Sequence, residues 1–316
     1  MDTFAAVFSK IVYIFVLIVA GALAKKYRLL SENGEKDLSR LLVDLFWPAL
    51  IFVSITEKLN KSDILVNWSL PVLALVTGLT GYFIGSAFVR IFRYKDDRKR
   101  IFLYHSIVNN FIFMVLPFAA AMIPGKGAGL LFVHNLGYIL IMWTLGVWVL
   151  QKNTGLMGSI KNLLSIGLIS TVCGITAVLT GFNTYIPKIA FDILNTIGSP
   201  TVPVAMIIAG ARIYRLGKHA LKFDSWNIIL ALIRLVIVPG ILFLLTLFLK
   251  QYMHLRQEVI IIFMLVNIMP VSVNSVSLAM RFKSSPDLAA QGVVMTHVFS
   301  IITVTVYMLL IEYCLL

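Results

Sequence analysis

Charge is scarce in this chain, and acid scarcest of all: 13% of its 316 residues are Asp, Glu, Lys or Arg, and only 14 of these are acidic. With 59% hydrophobic residues and a mean hydropathy of +0.94, there is too little polar surface to cover a soluble globule and far too much apolar sequence for a single anchor. An all-α polytopic membrane protein is predicted. Cysteine is nearly missing too. Cys173 and Cys314 both fall in apolar runs with no disulfide or metal spacing, so neither a disulfide framework nor a metal site is expected. Catalytic signatures are lacking: there is no G-x-x-x-x-G-K-[ST] phosphate loop, no H-E-x-x-H and no nucleophile elbow, and the serines near His105 and His297 have no carboxylate close by in sequence to complete a triad. No enzyme activity and no cofactor are expected. A recurring pore motif or charged ring, which a channel would show, is also lacking.

What is present is basic charge in short clusters. The formal charge of +13 sits between apolar runs, where a topology rule accounts for it without a nucleic-acid partner. Apolar runs of about 20 residues, the length that crosses a bilayer, recur at 4–24, 37–56, 66–90, 101–123, 128–150, 162–183, 187–212, 226–249, 257–281 and 288–315. Connections are short, and no soluble domain fits between them. Ala22-Leu23-Ala24 resembles a signal-peptidase site, but Lys25, Lys26 and Arg28 follow the apolar run instead of preceding it, the pattern of a retained first helix.

The odd connections carry Lys25, Lys26, Arg28, Lys36 and Arg40; Arg90, Arg93, Lys95, Arg98, Lys99 and Arg100; Lys152 and Lys161; Arg212, Arg215, Lys218 and Lys222; and Arg281 and Lys283. The other side has only Lys10, Lys58, Lys61, Lys126, Lys188, Lys250 and Arg256. This asymmetry predicts odd loops in the cytoplasm and both termini outside, in a multi-pass plasma-membrane protein.

Several runs are interrupted. The fourth reads "HSIVNNFIFMVLP", with Asn109, Asn110 and Pro117, and the ninth reads "VNIMPVSVNS", with Asn267, Pro270 and Asn274. A second pair, "VDLFWPALIF" at Pro48 and "IGSPTVPVAM" at Pro200 and Pro203, has the same separation. Segments five apart enter the membrane from opposite sides, so 1–150 and 151–316 read as two inverted five-helix repeats. Interrupted helices near the midplane expose amides, carbonyls and half-helix ends that can hold a polar solute.

"WPALIF" in the second segment, "NNFIFMVLP" in the fourth, "VPVAMIIAGARI" in the seventh and "MP" in the ninth together resemble the auxin efflux carrier family, which includes the plant PIN proteins and many bacterial carriers of organic acids. The resemblance covers essentially the whole chain. It implies a fold similar to sodium/proton antiporters and bile-acid symporters. Helices one, two, six and seven would form a scaffold, and helices three to five and eight to ten a transport domain. The resemblance also implies a homodimer through the scaffold. Broken helices four and nine would cross at Pro117 and Pro270, and asparagines from Asn109, Asn110, Asn267 and Asn274 would bind a substrate carboxylate. The fifth connection, "QKNTGLMGSIK", lacks the long cytoplasmic loop of the plant carriers, so regulation by phosphorylation there is not expected.

Asparagine suits that role, since a neutral amide offers donors to a carboxylate at lower desolvation cost than a buried Lys or Arg. The competing reading of each asparagine is a hydrogen bond joining helices. Asp44 reads either as a proton-coupling carboxylate or as a partner of Arg40, one turn away, or as a helix cap. Arg234 reads as an attractor of anions or as a partner of Asp44 or Asp192. His105 and His297 read as titrating groups or as interior hydrogen-bonded histidines. The expected function is therefore secondary transport of a small organic acid by alternating access. Alternatives are a receptor with a transporter-like fold and a proton- or sodium-coupled symporter; asparagines in place of an acidic pair argue against sodium.

Overall fold

The computed structural model describes residues 2–151, 165–217, 223–253 and 255–316. Lys152, Lys161, Lys218 and Lys222, four of the basic residues that set the expected orientation, and most of the fifth connection lie outside the described residues. Among those described, the chain is helical, and its β-structure is a single isolated bridge. The elements are α1 (Asp2–Lys26), α2 (Glu32–Thr56), α3 (Lys61–Ile91), α4 (Asp96–Ile107), α5 (Val115–Met122), α6 (Gly127–Leu150), α7 (Ile166–Thr180), α8 (Lys188–Arg215), α9 (Ser225–Met253), α10 (Gln257–Asn267), α11 (Ser275–Arg281) and α12 (Pro286–Leu315). Six of them, α2, α3, α6, α8, α9 and α12, are long and apolar enough to cross a membrane. The protein is a multi-pass membrane protein.

Polar residues at the connections start the helices. Ser31 accepts from the Gly34 amide before α2, and Asn60 and Asp63 form a reciprocal capping box at the start of α3. Asp224 caps α9, and Ser285, followed by Pro286 at the first helical position, opens α12. These side chains satisfy amides that have no partner within the first turn. Val12, Val16 and Val19 on α1, and Leu244 and Phe248 on α9, are exposed where lipid would cover them.

Every residue of α10 from Val259 to Asn267 is buried, so this helix lacks an amphipathic stripe and lies in the interior. Around it pack α3, α5, α6 and α9. On the other side of the molecule α1 runs along the second half of α8, while α2 packs on α7 and on the first half of α8. The α1–α8 approach requires glycine: a Cβ on Gly21 would overlap the carbonyl of Ile207, and one on Gly210 the carbonyl of Ile18. Two backbones in direct contact leave no room for a side chain between them.

The prolines act differently from one another. Helix α2 is not broken at Pro48; a π-helical turn over Leu42–Phe46 precedes it and absorbs the missing donor, so the helix continues. In α8 a turn at Ser199 and Pro200 interrupts the helix before Thr201.

Candidate functional site

Two extended stretches cross in the interior. Helix α4 ends at Ile107 and α5 begins at Val115, while α10 ends at Asn267 and α11 begins at Ser275. Between these ends Asn109 pairs with Val271 in an antiparallel bridge, and the Asn110 amide donates to the Pro270 carbonyl at 2.8 Å. Pro270 fits an extended position from which no donor is asked. Pro117 lies outside the crossing stretches, in the first turn of α5, where a helix needs no amide from it. Proline there marks the restart of the helix, not the break.

Breaking a helix inside an apolar protein strands backbone groups, and each needs a partner. Tyr138 on α6 accepts from the Asn109 amide at 3.1 Å and donates to the Ile107 carbonyl at 2.9 Å. Thr296 on α12 accepts from the Val271 amide at 3.3 Å. The two residues paired in the bridge therefore each hand their amide to a hydroxyl on another helix. At the end of α10, Arg234 donates from Nη2 to the Asn267 carbonyl at 2.8 Å and from Nε to the Met269 carbonyl at 3.2 Å. Its charge also opposes the partial negative end of that helix. Arg234 thus serves backbone carbonyls, not Asp44 or Asp192.

The four asparagines divide. Asn109 is fully buried and donates from Nδ2 to the Val266 carbonyl at 2.5 Å. Asn267, also fully buried, donates to the Phe263 carbonyl at 2.8 Å. Asn110 and Asn274 instead line a cavity of about 480 Å³ together with Asp44, Trp47, Phe113, Trp143, Arg212, Ser272 and Ser277. The Asn110 oxygen accepts from the Met114 amide at 3.5 Å, and its amino group has no protein acceptor among the described residues. Trp47 meets Phe113 edge to face at 5.4 Å. A smaller space of about 50 Å³, lined by Ser39, Ala205, Met206 and Ala209 as well as Asn110 and Arg212, shares this wall.

Asp44 pairs with Arg40 at 3.6 Å, in an exposed position at the cavity wall. His105 is fully buried with Nε2 at 2.9 Å from Ser275 Oγ, and buried His297 holds the Val293 carbonyl through Nδ1 at 2.8 Å. Neither histidine lines the cavity. Among the described residues no group of three or more His, Cys, Asp or Glu could hold a metal ion.

Arg212 is the residue that sequence reasoning left among the loop charges. It projects from α8 and bonds Glu35 (Nε to Oε1, 3.3 Å), Ser39 (3.2 Å) and Asn274 (Nη1 to Oδ1, 3.3 Å). Glu35, buried to 4% exposure, also faces Lys25 and Arg215, each at 3.6 Å. The signal was an arginine directly after the apolar run "VPVAMIIAGA", three residues before α8 ends at Arg215; its spacing placed it on a loop, whereas α8 carries it inward.

The sequence matches the family described as membrane transport protein over residues 6–162 and 155–308. It is 26% identical over 306 residues to an uncharacterized transporter of Methanocaldococcus jannaschii, covering 94% of this chain and 96% of the relative. A second relative, an uncharacterized transporter of Saccharomyces cerevisiae, is 28% identical over 105 residues, or 33% of this chain and 24% of its own length.

Proposed function

We propose, from the premise that the chain belongs to the membrane transport protein family of auxin efflux carrier-like proteins, that it is a secondary carrier for a small organic anion. The observation that carries this reading is the cavity of about 480 Å³ whose lining includes Asn110, a residue of the crossing with an amino group free to donate. A carrier must bind its solute and release it, and a neutral amide donor such as Asn110 contributes to holding a carboxylate at low desolvation cost.

The ten spans of this reading are α1, α2, α3, α4 with α5, α6, α7, α8, α9, α10 with α11, and α12. Residues 1–150 and 151–316 form two inverted repeats, a reading supported by the matched roles of Tyr138 and Thr296 on the fifth and tenth spans. Packing of α1 on α8 and of α2 on α7 and α8 supports a scaffold of these four helices, with the remainder as the transport domain in an elevator-like cycle. The scaffold also forms the homodimer contact. Basic residues Lys25, Arg212 and Arg215 gather beside the cavity, which by the positive-inside rule opens it to the cytoplasm, with both termini outside the plasma membrane. Sodium coupling is disfavoured, because the crossing offers asparagines and the cation of Arg234 and no carboxylate charge to offset a sodium ion.

The test is uptake and efflux of a panel of labelled organic acids in proteoliposomes under imposed pH and sodium gradients. Flux of one acid supports the carrier, whereas specific binding without flux turns the reading to a receptor.

A further inference from the structure

Arg212 occupies an unusual position. It stands on the wall between the two sets of helices: two of its bonds stay within the α2–α8 side, to Glu35 and Ser39, and the third crosses to Asn274, immediately before α11. Among the described residues that line the cavity, Arg212 is the cation and Asp44 the anion, and Asp44 is already matched by Arg40. Around Glu35 three cations face one carboxylate, so the cluster carries an excess of two positive charges.

We infer that Arg212 is a specificity-determining anion-binding residue of the cavity, and that a substrate carboxylate displaces Asn274 from it. The inference rests on the carrier reading for its role in transport, and on the geometry alone for the anion site. An amide oxygen at 3.3 Å is a neutral acceptor; a carboxylate oxygen makes a charge-assisted bond to the same guanidinium that is roughly twice as strong. Glu35 keeps Arg212 in place through Nε while Nη1 changes partner, so the exchange needs no movement of the arginine. Asn110, which lines the same cavity and the same smaller space as Arg212, donates to the second carboxylate oxygen. The Arg212–Asn274 bond ties α8 to the residue that leads into α11. Anion binding replaces that tie, which couples occupancy to freedom of the crossing helices. On this account Asn274 is a competitor for the arginine and not a ligand of the solute.

The experiment places a single cysteine at Ser277→Cys, on the cavity wall, in a background with Cys173→Ser and Cys314→Ser. The rate of maleimide labelling is measured against increasing malonate and, separately, indole-3-acetate, alongside flux of both acids in proteoliposomes. At least one acid is expected to slow labelling. Arg212→Gln should weaken that protection by about tenfold to a hundredfold, Arg212→Lys should restore part of it, and Asn274→Ala should strengthen it several-fold. Glu35 keeps Lys25 and Arg215 in Arg212→Gln, so the cluster stays paired and the protein folded. If neither acid protects the cysteine, the anion site is overturned, whatever the flux. Protection and flux that both persist unchanged in Arg212→Gln overturn the inference and leave the carrier standing. Protection lost in Arg212→Gln with no flux in any variant upholds the anion site and removes the carrier reading instead. Weaker protection in Asn274→Ala overturns the displacement.

Discussion

The amide of Asn110 donates to the carbonyl of Pro270 at 2.8 Å, joining two helix interruptions that lie 160 residues apart in the chain. With the Asn109–Val271 bridge beside it, this bond makes the two broken helices one unit, so displacement of α11 carries α5 with it. The cavity that Asn110 lines sits against that unit, and stability of the crossing and function at the cavity become separable by mutation.

Arg234 belongs to the stability side. It is completely buried and donates to two carbonyls at the end of α10. Arg234→Met should lower stability by about 2–5 kcal/mol, since bonds to charged groups are the stronger kind and both carbonyls are left without a donor. Arg234→Lys should recover less than half, because one ammonium does not reproduce the fork of the guanidinium. Thermal unfolding in detergent measures both; unchanged midpoints would remove the assigned role.

Tyr138→Phe isolates the other break. Loss of the hydroxyl leaves the Asn109 amide and the Ile107 carbonyl unpaired, a destabilisation of about 1–3 kcal/mol. Hydrogen exchange should localise it to 107–110. A uniform change over the whole chain would contradict the local account.

Gly210→Leu places a side chain against the Ile18 carbonyl and should separate α1 from α8, at about 1–3 kcal/mol or more. Gly240→Leu, where a Cβ would meet only the Tyr307 hydroxyl at 3.3 Å, should be milder. Equal losses at the two sites would show that helix contact is not what Gly210 serves.

Much of this fold is legible in the sequence, for physical reasons that also mark where reading fails. Apolar length located the six helices long enough to span a membrane. Polar ends did not show as clearly: α2 begins at Glu32, well before its apolar run, because Ser31 caps it and Glu35 is held by Lys25, Arg212 and Arg215. Proline located the breaks approximately. Pro270 sits within one, Pro117 lies in the first turn of the helix after one, and Pro48 is taken up by a π turn, three outcomes of one missing amide that depend on neighbours in space.

Roles at the site were harder to read. Asn109, Asn110, Asn267 and Asn274 share one chemistry, yet two are buried against backbone carbonyls and two line a cavity. Nothing in local sequence separates them. Arg212 counts among the loop charges in the sequence and Arg234 reads equally as an anion attractor or a structural partner; in the structure Arg212 lines the cavity, while Arg234, the more deeply apolar of the two, donates to carbonyls freed where α10 breaks.

Orientation is open to direct test. Single cysteines at Arg93, between α3 and α4, and at Lys126, before α6, replaced one at a time in a cysteine-free background, should label from opposite sides of intact cells. An impermeant maleimide should reach the Lys126 position and not the Arg93 position. The reverse pattern would invert the protein and turn its cavity to the outside.

The central claim, that the cavity at the crossing holds a transported anion, is tested most directly by flux of labelled organic acids into proteoliposomes containing wild-type protein or Asn110→Ala. The account predicts that wild type moves at least one acid and that Asn110→Ala lowers its flux at least tenfold, with an unfolding midpoint close to wild type. Equal flux in the two proteins would contradict it.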